Sequence, residues 1–507
     1  MSITINWCEA CNDGSLEGDP AIAPCDSCGY DIHEQCLVNW DGEKTWDGYE
    51  FPSIHCPFCT GNQRSTYDKG FESGFQEACK AIVPPGSGPD SFNGFNRLHK
   101  ITREIAQAVA ATKSWLSFDG LKPLPHETWQ DCFPVEASEA FLTYQGEYLD
   151  LSSLKETGEK QLRNISECRA ADLNLAGLTL LPGNSADFLG NHKGNLTLGL
   201  EDLSEKDAKG LSKKRGGLRL PHLKEITPEA ASHFKGFSGS LSLGISRIDP
   251  QTAGSLSKIK GSRLQLESLD KIDTSSAKEL GSFNGSLCLG LKEISDAVAT
   301  GLGCGSGDLI LDSLELLSQT VATLFVKRSG ALSLSGLKDI SLDVARTLAQ
   351  NKGEISLGGL EFISEDIALE FSKHRYTLRL YGLVDLSDRS AEYLAAHRAG
   401  GDEDLLFLGL PNPRESLFKS FSKHEGNLML GIGARPFSFR KEDSHTIEPK
   451  EAEWLTKHKG KVTIRWVDAL KPSVINILKA CPTIEGIDYD SIEVLKETSK
   501  ELKRKGA

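Results

Sequence analysis

Eight residues of zinc-binding type fall into four pairs near the start of the 507-residue chain. The pairs are Cys8 and Cys11, Cys25 and Cys28, His33 and Cys36, and Cys56 and Cys59. Two residues separate the ligands in each pair, so both can turn back onto one metal ion through a tight knuckle. Eight ligands suffice for two closed tetrahedral sites. We therefore predict that residues 1–62, called the head below, fold around two zinc ions.

The formal charge of the chain is −14, and most of it lies in the head. Eleven Asp and Glu residues occur in the first 60 positions, against a single basic residue, Lys44. Phosphate groups would be repelled by such a segment, so the composition excludes nucleic acid as its partner. Spacing alone does not say which ligand pairs share a zinc ion.

The ligand order of four Cys, one His and three Cys resembles the PHD and RING finger families. Both families interleave their two sites in a treble-clef-like cross-brace. The resemblance implies one zinc site at Cys8, Cys11, His33 and Cys36, and a second at Cys25, Cys28, Cys56 and Cys59.

The head shares features with each family. Its four-residue gap between Cys28 and His33 resembles PHD fingers, which read histone tails or other basic peptides. Ile54 stands where PHD fingers usually carry Trp. Trp40 and Pro57 match two positions that line the conjugating-enzyme groove of RING-type ubiquitin ligases, and Ala10 precedes the second ligand at the same groove. Thr60 replaces the cationic residue common in active RING ligases.

The rest of the chain repeats with a period near 23 residues. The first strand position of each unit is Leu149, Leu173, Leu196, Leu218, Leu241, Leu264, Leu287, Leu309, Leu332, Ile355, Leu378, Leu406 and Leu428. Alternating Leu residues predict a short strand with one buried face, and the following apolar spacing predicts a helix ended by Gly. Helix caps are predicted at Ser204, Thr227, Asp273, Ser295, Ser341, Ser364 and Ser387.

This pattern resembles leucine-rich repeats, which implies an α/β solenoid with parallel strands on its concave face. Many such repeats place Asn three residues beyond the second strand Leu, whereas this chain mostly has Leu there, as at Leu337. The units are closer to the short leucine-rich repeats of some bacterial proteins. With Leu in that position, the sequence leaves the hydrogen bonding of the turn unexplained.

Residues between the strand leucines are expected to point outward, and near the C-terminal end they become aromatic and apolar. Arg379, Tyr381, Phe407 and Met429 form the candidate substrate-docking group. Exposed aromatic and arginine side chains are typical of protein-binding surfaces. Ordinary capping of the array end is the alternative explanation.

Four regions follow from these patterns. They are the zinc-binding head at 1–62, a linker with N-terminal capping helices at 63–115, a solenoid of about 13–15 repeats at 116–475, and a C-terminal capping helix with a basic tail at 476–507. No run of 18 apolar residues exists, so no membrane span is expected. The first residues lack a basic start and an apolar core, which predicts a cytoplasmic protein.

A metal-folded head joined to a repeat array predicts an adaptor function. The resemblance implies a RING-like ubiquitin or ubiquitin-like protein ligase. The head would recruit a charged conjugating enzyme, the repeats would hold the protein substrate, and no catalytic nucleophile would come from this chain. The alternatives are a PHD-like peptide reader without enzymatic activity and a zinc-stabilised interaction protein or sensor.

Overall fold

A computed structural model describes four short strands between residues 5 and 33 and then most of the repeat array. The described array comprises residues 100–110, 115–118, 120–123, 127–398, 400–401, 404–432, 447–467 and 470–489. Two compact units divide the chain, one of Met1–Ile245 with Ile259–Gly261 and one of Ser246–Lys258 with Ser262–Ala507. Among the described residues, no helix has the length and apolar character needed to cross a lipid bilayer.

The strands of each unit pair in chain order. The strands are β1 Ile5–Cys8, β2 Asp13–Leu16, β3 Ile22–Pro24, β4 Asp31–His33, β5 Leu116–Ser117, β6 Tyr148–Asp150, β7 Asp172–Leu175, β8 Asn195–Leu198, β9 Leu218–Leu220, β10 Leu241–Leu243, β11 Arg263–Leu266, β12 Ser286–Leu289, β13 Leu309–Ile310, β14 Leu332–Ser333, β15 Ile355–Ser356, β16 Leu378–Leu380, β17 Leu405–Gly409, β18 Asn427–Gly431, β19 Val462–Val467 and β20 Ile484–Tyr489. In the head, β1 and β2 pair antiparallel, as do β3 and β4. In the array, β5 to β10 form a parallel sheet in the first unit, and β11 to β20 do so in the second.

The predicted repeat register is confirmed. Leu309 pairs with Leu332, Leu332 with Ile355, and Ile355 with Leu378. The same first strand position is aligned in the other unit, where Leu196 pairs with Leu218. Each unit is thus a parallel α/β repeat solenoid in which strands pair with strands and successive helices pack against each other.

One short α-helix follows each strand from β6 to β19, and two follow β5. The α-helices are Arg103–Ala110, Trp129–Cys132, Val135–Ala140, Glu159–Ser166, Ser185–Asn191, Glu205–Leu211, Pro228–Ser232, Pro250–Leu256, Thr274–Gly281, Asp296–Leu302, Gln319–Phe325, Leu342–Leu348, Glu365–Phe371, Asp388–Ala395, Glu415–Phe421, Pro449–Leu455 and Pro472–Lys479. Two 3₁₀ turns occur at Phe141–Thr143 and His233–Gly236. All seven predicted caps accept a hydrogen bond from a backbone N–H in the first helical turn.

The strand-to-helix turn explains how Leu replaces the expected Asn. The Leu337 side chain is buried, and its backbone N–H donates to the Leu334 carbonyl at 3.2 Å. Leu360 and Leu314 make the same bond, to Leu357 at 3.2 Å and to Leu311 at 3.0 Å. A backbone hydrogen bond therefore closes this turn, which frees the side chain to join the apolar core.

The repeated Gly has a different role from the predicted helix stop. The helix Gln319–Phe325 ends five residues before Gly330, and the only positive φ among the described glycines is at Gly183. A Cβ atom on Gly330 would lie 2.4 Å from the Gly307 carbonyl oxygen, and one on Gly353 would lie 2.5 Å from the Gly330 oxygen. Gly is required here because the turns before successive strands are in close contact.

The two ends of the array differ from the predicted boundaries in part. The helix Arg103–Ala110 buries Ile105 and Val109 and packs against Val135–Ala140, as expected of a segment that covers the first repeat. At the other end, the predicted capping region at 476–507 contains a further strand of the parallel sheet. This strand, β20, pairs parallel with β19, so the repeat pattern continues beyond residue 475. Within the predicted linker and capping helices at 63–115, residues 63–99 lie outside the described residues, as does the predicted C-terminal capping helix beyond residue 489.

Candidate functional site

Three of the four candidate docking residues lie side by side on neighbouring strands. In β16, β17 and β18, Arg379 is in register with Phe407, and Phe407 with Met429. Because side chains alternate along a strand, this register places all three on the same face of the sheet. Tyr381 follows the end of β16, and its ring lies 5.6 Å from the Phe407 ring, centroid to centroid. We call these four residues the aromatic strand face.

The Tyr381 ring lies across the neighbouring repeats. A Cβ atom on Gly358 would come within 2.0 Å of the Tyr381 ring, so the absence of a side chain there makes room for the aromatic group. The Tyr381 hydroxyl donates to the Ser335 hydroxyl oxygen at 3.1 Å, two repeats away. Contacts at both ends of the side chain hold this half-exposed ring in one orientation.

Arg379 is fixed by an ion pair on the same face. Its Nε atom lies 2.5 Å from Glu354 Oε1, and its Nη2 atom donates to Glu354 Oε2 at 3.2 Å. Both side chains remain about one-third exposed, at 37% for Arg379 and 32% for Glu354. The ion pair and the hydrogen bond from Nη2 orient the guanidinium group, while about a third of the side chain stays accessible.

The expectation that every residue between the strand leucines is exposed is wrong at three positions. Phe407 and Ser356 are each only 6% exposed, and Cys288 is only 3% exposed. Arg379, Tyr381 and Met429 are half-buried. Alternation gives the direction of a side chain correctly, but large neighbours on adjacent strands can still cover it. Phe407 thus packs beneath the exposed surface, and little of its own side chain is accessible.

Hydroxyl groups extend this face toward the preceding repeats. Ser333 donates to Asp312 Oδ1 at 2.6 Å, and the Ser335 and Ser356 hydroxyl oxygens are 3.2 Å apart. Since Tyr381 donates to Ser335, the aromatic strand face continues into a chain of polar contacts. A surface of this kind offers both apolar area and hydrogen-bonding groups.

Three buried cysteines of the described array are poorly suited to act as nucleophiles. Burial raises the pKa of Cys132 to about 12 and the pKa values of Cys168 and Cys288 to about 11 each. A thiol needs a lowered pKa to act as a nucleophile near neutral pH. Cys304, by contrast, is exposed.

Only two of the predicted zinc ligands lie within the described residues. Cys8 is the last residue of β1 and His33 is the last residue of β4, and these two strands contact each other. The other predicted ligands, Cys11, Cys25, Cys28, Cys36, Cys56 and Cys59, lie outside the described residues, as do Ala10, Trp40 and Pro57. Within the part of the chain that is described, no group of three or more His, Cys, Asp or Glu side chains is arranged to hold a metal ion.

Sequence inspection missed a column of interior residues, which we call the donor ladder. It occupies the position ten residues after most helix caps. Its members are Cys168, His192, Lys214, Phe237 and Ile259 in the first unit, and Phe283, Gly305, Arg328, Asn351, His374, His397, His424, His458 and Cys481 in the second. Most of the polar members bind backbone carbonyls of the preceding repeat, where helix ends leave acceptors without intrahelical partners.

Lys214 and Arg328 show the ladder's role most clearly. Lys214 is 1% exposed and donates to the His192 carbonyl at 2.9 Å and to the Gly194 carbonyl. Burial lowers the pKa of Lys214 to about 8. Arg328 is 2% exposed, donates to the Gly307 carbonyl at 2.7 Å, and also contacts Leu302 O. Both cations satisfy carbonyl groups near helix C-termini, where positive charge is favoured.

Four histidines occupy consecutive ladder positions near the end of the array. The rings of His374 and His397 are 6.2 Å apart, those of His397 and His424 are 6.1 Å apart, and those of His424 and His458 are 5.6 Å apart. All four are at most 3% exposed. Burial lowers the pKa of each, to about 4 for His397. The recurring Ser/Thr-Lys-His string at Ser372, Ser422 and Thr456 is the sequence signal that could have revealed this column.

Comparison with known proteins identifies no family. No family model matches the chain, and no curated protein matches it. Among solved structures, an internalin (inlF) from Listeria monocytogenes is 14% identical with a TM-score of 0.30, covering 70% of this chain and 94% of that one. The functional domain of InlJ from the same species, which includes a cysteine ladder, is 13% identical with a TM-score of 0.27, covering 68% and 82%. No function follows from similarities of this size.

Proposed function

We propose that this chain is a protein-interaction scaffold whose repeats bind a protein partner through the aromatic strand face. The observation that carries the proposal is the fixed Tyr381 ring, which lies over Gly358 beside Phe407 and next to the Glu354-bound Arg379. Tyr and Arg are enriched in the residues that dominate protein-protein binding energy. Because the ring and the guanidinium group are already oriented, a partner would lose little side-chain entropy on binding them.

The head has a separate role in this proposal. It binds two zinc ions in a cross-brace and recruits a second protein. The contact between β1 and β4 supports this, because the two strands end at Cys8 and His33, which the cross-brace assigns to one zinc ion. The more specific form of the proposal is a RING-like ubiquitin or ubiquitin-like ligase, with Trp40 and Pro57 in the conjugating-enzyme groove and the substrate on the repeats. The alternative is a PHD-like reader of a basic peptide.

Partner capture by the full chain tests the role of the aromatic strand face. We compare wild type with Tyr381→Ala and with Tyr393→Ala, a matched control on the helix Asp388–Ala395. A partner retained by wild type and by the control but lost by Tyr381→Ala supports the proposal. Equal retention by all three chains contradicts it.

Discharge of a thioester-linked modifier from conjugating enzymes tests the role of the head. A ligase accelerates the discharge, and Trp40→Ala removes the acceleration while the zinc content stays at two ions per chain. A head that binds a basic peptide and leaves discharge unchanged is a reader. A chain purified without zinc contradicts both forms of the proposal.

A further inference from the structure

Three large apolar side chains of the second unit are exposed in the turns between strands and helices. Leu316 is 79% exposed, Phe362 is 64% exposed and Val384 is 40% exposed. The neighbouring leucines of these turns, such as Leu314 and Leu360, are 1% exposed. A large part of each of these three side chains therefore lies outside the core.

The repeat register brings these side chains to one surface. Leu316 and Phe362 each lie seven residues after the paired first positions of β13 and β15, with β14 between them. Two strand spacings correspond to about 10 Å, which places the two side chains on one line across the repeats. The Val384 N–H donates to the Glu361 carbonyl at 2.9 Å, so Val384 lies beside Phe362.

Acidic residues surround this apolar group. The four turns at 314–319, 337–343, 360–366 and 383–389 contain eight Asp or Glu residues and two basic residues, Lys338 and Arg389. Helix N-termini favour acidic residues, which accounts for part of this excess. Within the described part of the chain, Glu315, Asp339, Glu361 and Asp366 are exposed and form no ion pair.

We propose that this surface, called the acidic turn ridge, binds a basic amphipathic segment of a partner protein. The exposed Leu316, Phe362 and Val384 side chains would be covered by the apolar side of that segment, and its Lys and Arg residues would lie against the acidic rim. Charge complementarity selects this occupant, since the four rim carboxylates that form no ion pair repel acidic segments. The ridge lies on the turns, apart from the aromatic strand face, and adds a second binding surface to the proposed scaffold.

The first unit offers a matched control. Leu180 is also 79% exposed and lies two residues after the buried turn residue Leu178, as Leu316 does after Leu314. The only acidic residue of its turn and first helical turn, Asp187, is paired with Lys213 at 2.7 Å. Leu180 therefore has the apolar exposure without the acidic rim.

The test uses the full chain and a fluorescent amphipathic peptide of alternating Leu and Lys type, followed by anisotropy. We expect saturable binding that weakens with salt and at least tenfold weaker binding to the Leu316→Ser, Phe362→Ser double variant. The Leu180→Ser and Tyr381→Ala variants should bind as wild type does. A Leu and Glu peptide should bind at least tenfold more weakly.

Binding that is unchanged in the Leu316→Ser, Phe362→Ser variant overturns the inference, since the acidic head would then account for it. An equal loss in Leu180→Ser overturns it too, because apolar exposure alone would explain the binding. The basic residues Lys503, Arg504 and Lys505 of this chain are a competing occupant. Their joint change to Glu in the full chain should leave peptide affinity unchanged, and a tenfold gain would assign the ridge to this tail instead of a partner.

Discussion

The buried histidine column should make the array sensitive to mild acid, and His397 provides the clearest case. Its ring is fully buried, Nε2 faces the Tyr376 carbonyl at 3.1 Å, and the rings of His374 and His424 stack on both sides. Burial and the two neighbouring histidines lower its pKa to about 4, while Asp404 opposes them. The folded state therefore keeps His397 neutral at a pH where the unfolded chain already binds a proton.

The sign and size of the effect follow from these values. An unfolded histidine titrates near 6.5. Between that pH and about 4, the unfolded state holds more protons than the folded state, so the free energy of unfolding falls as the pH falls. For His397 alone, the free energy of unfolding should drop by about 2 kcal/mol between pH 7.5 and 5.0, and by about 3 kcal/mol below pH 4.

The assay is urea unfolding at pH 7.5 and 5.0, followed by circular dichroism, for wild type and His397→Asn. Asn is a suitable replacement because Asn351 occupies the same ladder position and donates to the Gly353 carbonyl at 3.0 Å. Between pH 7.5 and 5.0, the free energy of unfolding of the variant should fall by about 2 kcal/mol less than that of wild type. The exposed His222, changed to Asn, serves as the control and should behave as wild type does. Identical pH dependence in wild type and His397→Asn would refute the reasoning.

Three further predictions concern packing, buried charge and metal. Gly330→Ala should lower the free energy of unfolding by about 1–3 kcal/mol, because its Cβ would contact the Gly307 oxygen, whereas Gly236→Ala, with no atom within 4 Å of the added Cβ, should change it by less than about 0.5 kcal/mol. Thermal unfolding of the pair measures the difference, and equal melting temperatures would contradict the packing argument. Arg328→Met should lower the free energy of unfolding by about 3 kcal/mol, because it leaves the Leu302 and Gly307 carbonyl oxygens without the guanidinium donor. Urea unfolding that matches wild type would count against this prediction. A chelator should release two zinc ions per chain and unfold the head while the helical circular dichroism signal of the repeats persists; release of no zinc would disprove the metal prediction.

The repeat fold was predictable because the same physical requirement recurs in every unit. A strand that must pair with both neighbours needs its leucines in register, as at Leu332 and Ile355, and a helix that starts at a fixed distance needs a cap, as at Ser341. Few residue types meet these requirements, so the same types recur at the same positions of each repeat and the pattern is visible in the sequence. Two-residue strands such as β13 still carried the pattern, because the Leu positions and not the strand length define it.

The donor ladder was not recognised in the sequence, because chemically different residues can all donate a hydrogen bond to a backbone carbonyl group. Lys214, Arg328, Asn351 and His397 all bind carbonyl groups of the preceding repeat, yet no consensus letter connects them. The burial of Phe407 was missed for another reason. Alternation within β17 indicates its direction, whereas the covering neighbours come from other strands and cannot be seen in one repeat alone.

The packing around Gly305 limits how this array can gain or lose units during evolution. A Cβ atom at Gly305 would lie 1.9 Å from the Gly281 carbonyl oxygen in the preceding unit and 2.7 Å from the Arg328 guanidinium group in the next one. A residue with a side chain at this position would therefore clash with both neighbours. A deletion or duplication that changes which units flank Gly305 must keep glycine wherever a carbonyl oxygen of the preceding unit lies this close.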